Sequence, residues 1–177
     1  MTVFVVLFRG VGGATQLPVK PLREKLGEAG FANVATYINS GNAVVKTRLG
    51  REKAIAKIAE ICRREFGFDK DIHAVTADEW RDLIARNPFP GAVDVPKFLH
   101  AAVLEREPAP ANVEKIRAYA AGGEKIEIVG TVAYLHTPNG FGTSKMAERF
   151  DKLIGVPNTA RNWNTVVKLM ELAEAAS

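Results

Sequence analysis

Two short stretches toward the C-terminus carry residue types that could do chemistry. In NGFGTSKMAERF, residues 139–150, Thr143 and Ser144 stand where a helix should begin, and Lys145 follows at once. Either hydroxyl can cap that helix by accepting from a first-turn N–H. The remaining N–H groups and the helix dipole suit a phosphate or a carboxylate, and Lys145 adds a mobile positive charge beside them. In TARNWNT, residues 159–165, Arg161, Asn162, Trp163, Asn164 and Thr165 place a guanidinium, an indole, two amides and a hydroxyl in consecutive positions. Asn162 can cap a final helix, Trp163 can pack with Val166, Val167 and Met170 on one side of it, and Asn164 and Lys168 share a face. Brought together, the two helix starts would form a polar pocket of net positive charge.

Arg9 adds a third cation. It closes the apolar run TVFVVLF, and a cation in that place needs either solvent or an anion. The following Gly10, Gly12 and Gly13 lack the spacing of a dinucleotide fingerprint or a Walker loop; plain turn geometry accounts for them, the alternative being a close approach of backbone to a ligand. In YINSGNAVV, Asn39 and Asn42 flank a hairpin turn and can satisfy local backbone groups. The candidate ligand-binding set is Arg9, Asn39, Asn42, Ser144, Lys145, Arg161 and Asn164. Arg9, Lys145 and Arg161, with Ser144 and Asn164, are expected to converge on one anion pocket.

Catalytic constellations are weak by comparison. His73, His100 and His136 fall in or at the ends of expected strands and show no metal-ligand spacing. Cys62, the single cysteine, excludes an internal disulfide and a thiolate cluster, and lies on the apolar side of an expected helix. Ser144–Lys145 is not the S-x-x-K arrangement, and no paired carboxylates frame the glycine loops. No metal and no cofactor is implied, and no catalytic residue stands out.

The apolar run ending at Arg9 is too short to span a bilayer and lacks the lead-in and cleavage site of a signal peptide. The expectation is a cytoplasmic protein that does not enter membranes. Charge is uneven: residues 1–77 carry 12 Lys/Arg against 7 Asp/Glu, and residues 78–177 carry 12 against 13. A basic half can steer an anionic small molecule or a nucleic acid, but no dense cationic stripe of the kind a phosphate backbone meets is present.

The elements that must position these residues follow from periodicity. A buried strand over 3–8 leads through the glycine link to a helix over about 19–29, opened by Pro18 and stopped by Gly30. Strands over 33–38 and 43–47 flank the turn NSGN, a helix covers about 51–66, and a strand covers 72–76. This β-α-β-β-α-β order is that of a ferredoxin-like unit. Beyond it come a helix over 78–86, the proline-broken NPFPGAVDVP at 87–96, a strand over 98–104, a helix over 111–121, and strands over 125–129 and 132–136. Helices over about 143–154 and 162–175 complete the chain. The class is α+β: two ferredoxin-like-type subdomains with mainly antiparallel sheet, one over residues 1–77 and one over 78–177 that ends in a helix.

LFRGVGG, LPVKPLREKLGEAGFANVATYINSGNAVV, NPFP and GTSKMAERFDKLIGVPNTARNWNTVVKL, in this order over residues 3–172, resemble the DUF1697 family of uncharacterised bacterial proteins. The resemblance implies two α+β subdomains and brings no activity with it. The family's recurring polar positions fall here on Arg9, Gly10, Asn39, Ser40, Gly41, Asn42, Ser144, Lys145 and Arg161 through Thr165. Its loop after the first strand usually reads R-G-I-N-V-G-G. Here it is RGVGG, without the asparagine, so a ligand held by that asparagine would be bound differently or not at all. The expected function is binding of a phosphate-bearing ligand, a nucleotide or nucleic acid. The alternatives are a small enzyme acting on an anionic substrate, or motifs that only keep two subdomains in register.

Overall fold

The computed structural model describes residues 1–38 and 41–177. Its elements are β1 (Thr2–Phe8), α1 (Val19–Glu28), β2 (Ala32–Tyr37), β3 (Asn42–Thr47), α2 (Arg51–Phe66), β4 (Ile72–Thr76), α3 (Ala77–Ala85), β5 (Leu99–Leu104), α4 (Pro110–Arg117), β6 (Lys125–Val129), β7 (Val132–His136), α5 (Lys145–Ile154), β8 (Asn158–Asn162) and α6 (Trp163–Ala176). Short 3-10 turns at Pro90–Asp94 and Pro96–Phe98 occupy the proline-rich link. The protein is α+β, and its described residues form two antiparallel sheets ordered β2-β3-β1-β4 and β6-β7-β5-β8. By compactness the chain divides into a first unit, Met1–Asp82 with Lys168–Ser177, and a second, Leu83–Val167.

In the first unit, β1 is central because it is apolar on both sides: Val3 through Phe8 are all buried. It pairs with β3 from Thr2↔Thr47 to Leu7↔Asn42 and with β4 from Phe4↔Thr76 to Phe8↔Ile72. The pleat sends Phe4, Val6 and Phe8 into a cluster with Leu22 and Leu26 of α1 and Ile58, Ile61 and Cys62 of α2. Both helices therefore lie on one side of the sheet. Burial alone pushes the Cys62 thiol up to about 12, so it behaves as a small hydrophobe. Val5, Leu7 and Val44 point to the opposite side and are also fully buried.

The second unit repeats this plan. Ala102 and Leu104 of β5 cluster with Val113 and Ile116 of α4 and with Met146, Phe150 and Ile154 of α5. Two expectations are corrected here. Helix α4 stops at Arg117 rather than near residue 121, because Tyr119 and Ala120 donate to Ile116 and Arg117, tightening the end into turns. And Asn158–Asn162, given no strand from sequence and overlapping at Asn162 the helix expected over 162–175, is an edge strand paired with β5 from Leu104↔Asn158 to His100↔Asn162. Its residues show no apolar alternation; the pairing is supplied by the backbone of β5.

Candidate functional site at the start of α5

Helix α5 begins where β7 has left the sheet and the segment 137–144 has turned back over its end. Ser144 is the N-cap: its Oγ accepts from Ala147 N at 3.0 Å, and its carbonyl accepts from Glu148 N. Upstream, Gly140 N donates to Thr137 O, Ser144 N to Phe141 O, and Thr143 Oγ1 to Asn139 O at 3.4 Å. The N–H groups of Gly142, Thr143 and Lys145 have no acceptor among the described residues. These three residues are exposed, whereas Ser144 and Met146 on either side of Lys145 are buried. A run of outward N–H groups at a helix start is the arrangement that receives an anion. The Lys145 ammonium stands beside it, with Nζ 3.5 Å from Glu148 Oε2.

Under this turn, the His100 ring stacks on Phe141 with centroids 3.8 Å apart. Nδ1 of His100 is buried without a hydrogen-bond partner among the described residues. Burial lowers its pKa to about 4, so the imidazole is neutral at physiological pH. From sequence His100 reads only as a strand histidine; the aromatic between two glycines in NGFG is the signal that could have marked its partner.

The other expected site residues fall elsewhere. Ala160 packs against the cluster that holds α5, and Arg161, the next residue along β8, therefore points to the opposite side of the sheet. Its Nη1 donates to Thr159 Oγ1 at 2.7 Å and Ala160 O at 2.8 Å, and burial lowers its pKa to about 10, still far above neutrality. Asn164 is exposed on α6. Within the second unit, then, Ser144 and Lys145 are together, while Arg161 is across the sheet from them.

Arg9 and Asn42 belong to the first unit. Arg9, half-buried beyond the end of β1, donates its N–H to Asp71 O at 3.0 Å. Asn42 is 1% exposed and its Nδ2 donates to Tyr37 O at 3.2 Å, closing the β2–β3 hairpin. Asn39 lies outside the described residues. Gly10, Gly12 and Gly13 all have positive φ, and Gly12 and Thr15 exchange backbone hydrogen bonds, which makes the loop a tight turn. The loop is seated through Val11, whose Cγ2 would lie 2.6 Å from a Cβ placed on Gly41.

In the final helix, Asn162 Oδ1 accepts from Thr165 N at 3.0 Å, the cap that the sequence suggests. Trp163 is 4% exposed, so it is a packing residue. Val167 is not its buried neighbour: it is 41% exposed. The buried stripe is centred on Val166, Leu169 and Ala173, and at about 100° per residue Val167 falls beyond its edge. Among the described residues, no three His, Cys, Asp or Glu side chains are grouped to hold a metal, and no helix is long and apolar enough to cross a membrane.

A family model described as a protein of unknown function, DUF1697, matches residues 1–134. The chain belongs to the DUF1697 family. The match stops within β7, so the start of α5 lies outside the matched residues. Among solved structures, the conserved bacterial protein SP0830 from Streptococcus pneumoniae is similar, with a TM-score of 0.70 and 17% identity over 97% of this chain and 98% of that one. At that identity the likeness is one of fold. No curated protein matches this DUF1697 chain.

Proposed function

We propose that this DUF1697 protein binds a small phosphate-bearing ligand, such as a nucleotide, at the turn that opens α5. The observation that carries the reading is the set of exposed N–H groups at Gly142, Thr143 and Lys145 that have no acceptor among the described residues. The helix dipole and the Lys145 ammonium favour negative charge at the same spot. The His100–Phe141 stack holds the turn in place before a ligand arrives, which lowers the ordering cost of binding.

A small ligand fits better than a nucleic acid. Sheets that read single-stranded RNA do so with exposed aromatics on the side away from their helices. Here that side of the first sheet carries Val5, Leu7 and Val44, all fully buried. The ferredoxin-like description of the subdomains belongs to the same reading. Its support is the β-α-β-β-α-β order with strand order 2-3-1-4, occurring twice. A junction near residues 77–78 and a cytoplasmic location also remain part of the proposal.

The test is an amide-resolved NMR titration with inorganic phosphate and with a nucleoside monophosphate. Both should shift Gly142, Thr143 and Lys145. Lys145→Gln should weaken binding, whereas Arg161→Gln, across the sheet, should leave it unchanged. Shifts centred on Arg161 or Arg9, or none at millimolar ligand, would overturn the assignment.

A further inference from the structure

A second feature lies at the far edge of the second sheet. Strand β6 is an edge strand, paired with β7 alone in a hairpin closed by Gly130 and Thr131. The bonds Leu104 N to Thr131 O and Thr137 N to Phe98 O fix the phase of the ladder. Ala133 and Leu135 face β5, so Val132, Tyr134 and His136 bond to Val129, Glu127 and Lys125. The N–H and C=O groups of Ile126 and Ile128 are consequently turned outward. Arg117 Nη2 donates to Ile126 O at 3.1 Å from that outer side, in agreement. The backbone of Ile128 keeps its outward groups.

Alongside this edge runs a cleft of about 330 Å³ between β6 and α4. Its apolar floor includes Val113 and Ile128, and its rim carries the carboxylates of Glu107, Glu114 and Glu127 against one cation, Arg117. That cation is already engaged: Nη1 pairs with Glu114, and Nη2 lies 3.7 Å from Glu127 Oε2. Glu107 forms no ion pair among the described residues. The cleft therefore joins an open strand edge, an apolar floor and a net negative rim.

We infer that the groove between α4 and β6 receives an extended peptide carrying lysine or arginine, added to the sheet beside Ile128. Main-chain bonds to Ile128 hold the segment, its apolar side chains lie on Val113 and Ile128, and its cations meet the rim. The occupant is an extended strand because the open groups are those of a ladder. It is basic because the uncompensated charge is carboxylate. This site is independent of the α5 turn and of any phosphate ligand.

The probe is acetyl-Ser-Lys-Val-Lys-Val-Ser-amide, titrated into the full chain at low salt and followed by amide NMR. It should shift Ile126 through Val129, and the same peptide with glutamate for lysine should not. Glu107→Gln should weaken binding about two- to fivefold, the size expected for one exposed charge, with the circular dichroism spectrum unchanged. A peptide with proline at both valines should lose binding, since it cannot complete the ladder. If the proline peptide binds as well as the parent and spermidine displaces both, the groove is a cation pocket and strand addition is overturned. Absence of shifts along β6 at millimolar peptide would also overturn it.

Discussion

The two units place a helix at the same three points of one plan and finish them differently. In each, the fourth strand runs straight into a helix: β4 ends at Thr76 before α3, and β8 ends at Asn162 before α6. Both junctions are capped by the strand's last side chain. Thr76 Oγ1 accepts from Glu79 N at 3.2 Å while Glu79 Oε2 accepts from Thr76 N at 2.9 Å, and Asn162 Oδ1 accepts from Thr165 N. Each first turn also buries a tryptophan, Trp80 or Trp163. The polar run of residues 161–165 is thus largely a capping device, with a counterpart in the first unit.

The helix after the hairpin tells the opposite story. At α2 the cap is Gly50, with no side-chain bond, and carboxylates already attend the start: Glu52 in the first turn, and Glu79 held by Arg51 Nη2 at 2.7 and 2.6 Å. At α5 the cap is Ser144, the preceding turn presents free N–H groups, and a lysine stands first in the helix. Each start has a carboxylate in its first turn, Glu52 in α2 and Glu148 beside Lys145 in α5; the difference lies in the side-chain cap and in the exposed N–H groups before α5.

The largest effects should come from the paired tryptophans. Trp80→Ala and Trp163→Ala should each cost about 3–5 kcal/mol in urea unfolding. If either costs less than about 1 kcal/mol, the two junctions are not equivalent. Iodide quenching of Trp163 in a Trp80→Phe background should be weak.

His100 has no counterpart of this kind and should make stability pH-dependent. Its folded pKa, about 4, lies below the unfolded value near 6.5, so the unfolded chain binds more protons between them. Its contribution is present above pH 6.5 and is lost as pH falls toward 4, by up to about 3 kcal/mol. Chemical denaturation across this range should show a steeper fall in the parent than in His100→Phe, which keeps only the share of carboxylates such as Glu79. Equal slopes in the two would remove His100 as a source.

Smaller are the caps: Thr76→Ala and Asn162→Ala should each lose about 1 kcal/mol, and Asn162→Asp should lose less. Smallest is Arg51→Gln, since both partners of its pair with Glu79 are about half exposed. A shift under about 1 kcal/mol is expected. A larger loss would mean that the carboxylates at the α2 start carry more of the first unit than the geometry suggests.

Much of this architecture was legible because it depends on short-range rules. The continuous apolar run at residues 3–8 could only be a strand buried on both sides, and Leu22, Leu26, Ile58 and Cys62 recur at helical spacing. Caps at Ser144 and Asn162 follow from side chains that reach only the next turn. What needed tertiary structure was everything settled by pairing and pleat. Asn158–Asn162 has no strand pattern of its own and becomes one because β5 offers it an edge. Once it is a strand, the alternation of its pleat turns Arg161 away from Lys145, although both stand beside a helix start in the sequence. The stack of His100 on Phe141 joins residues 41 apart; NGFG marks Phe141 as unusual, but only the fold brings it onto that strand histidine. Sequence by itself determined which residues could cap, bury or carry charge; only the sheet register decided which of them share a side, because a strand has two and one residue's shift exchanges them.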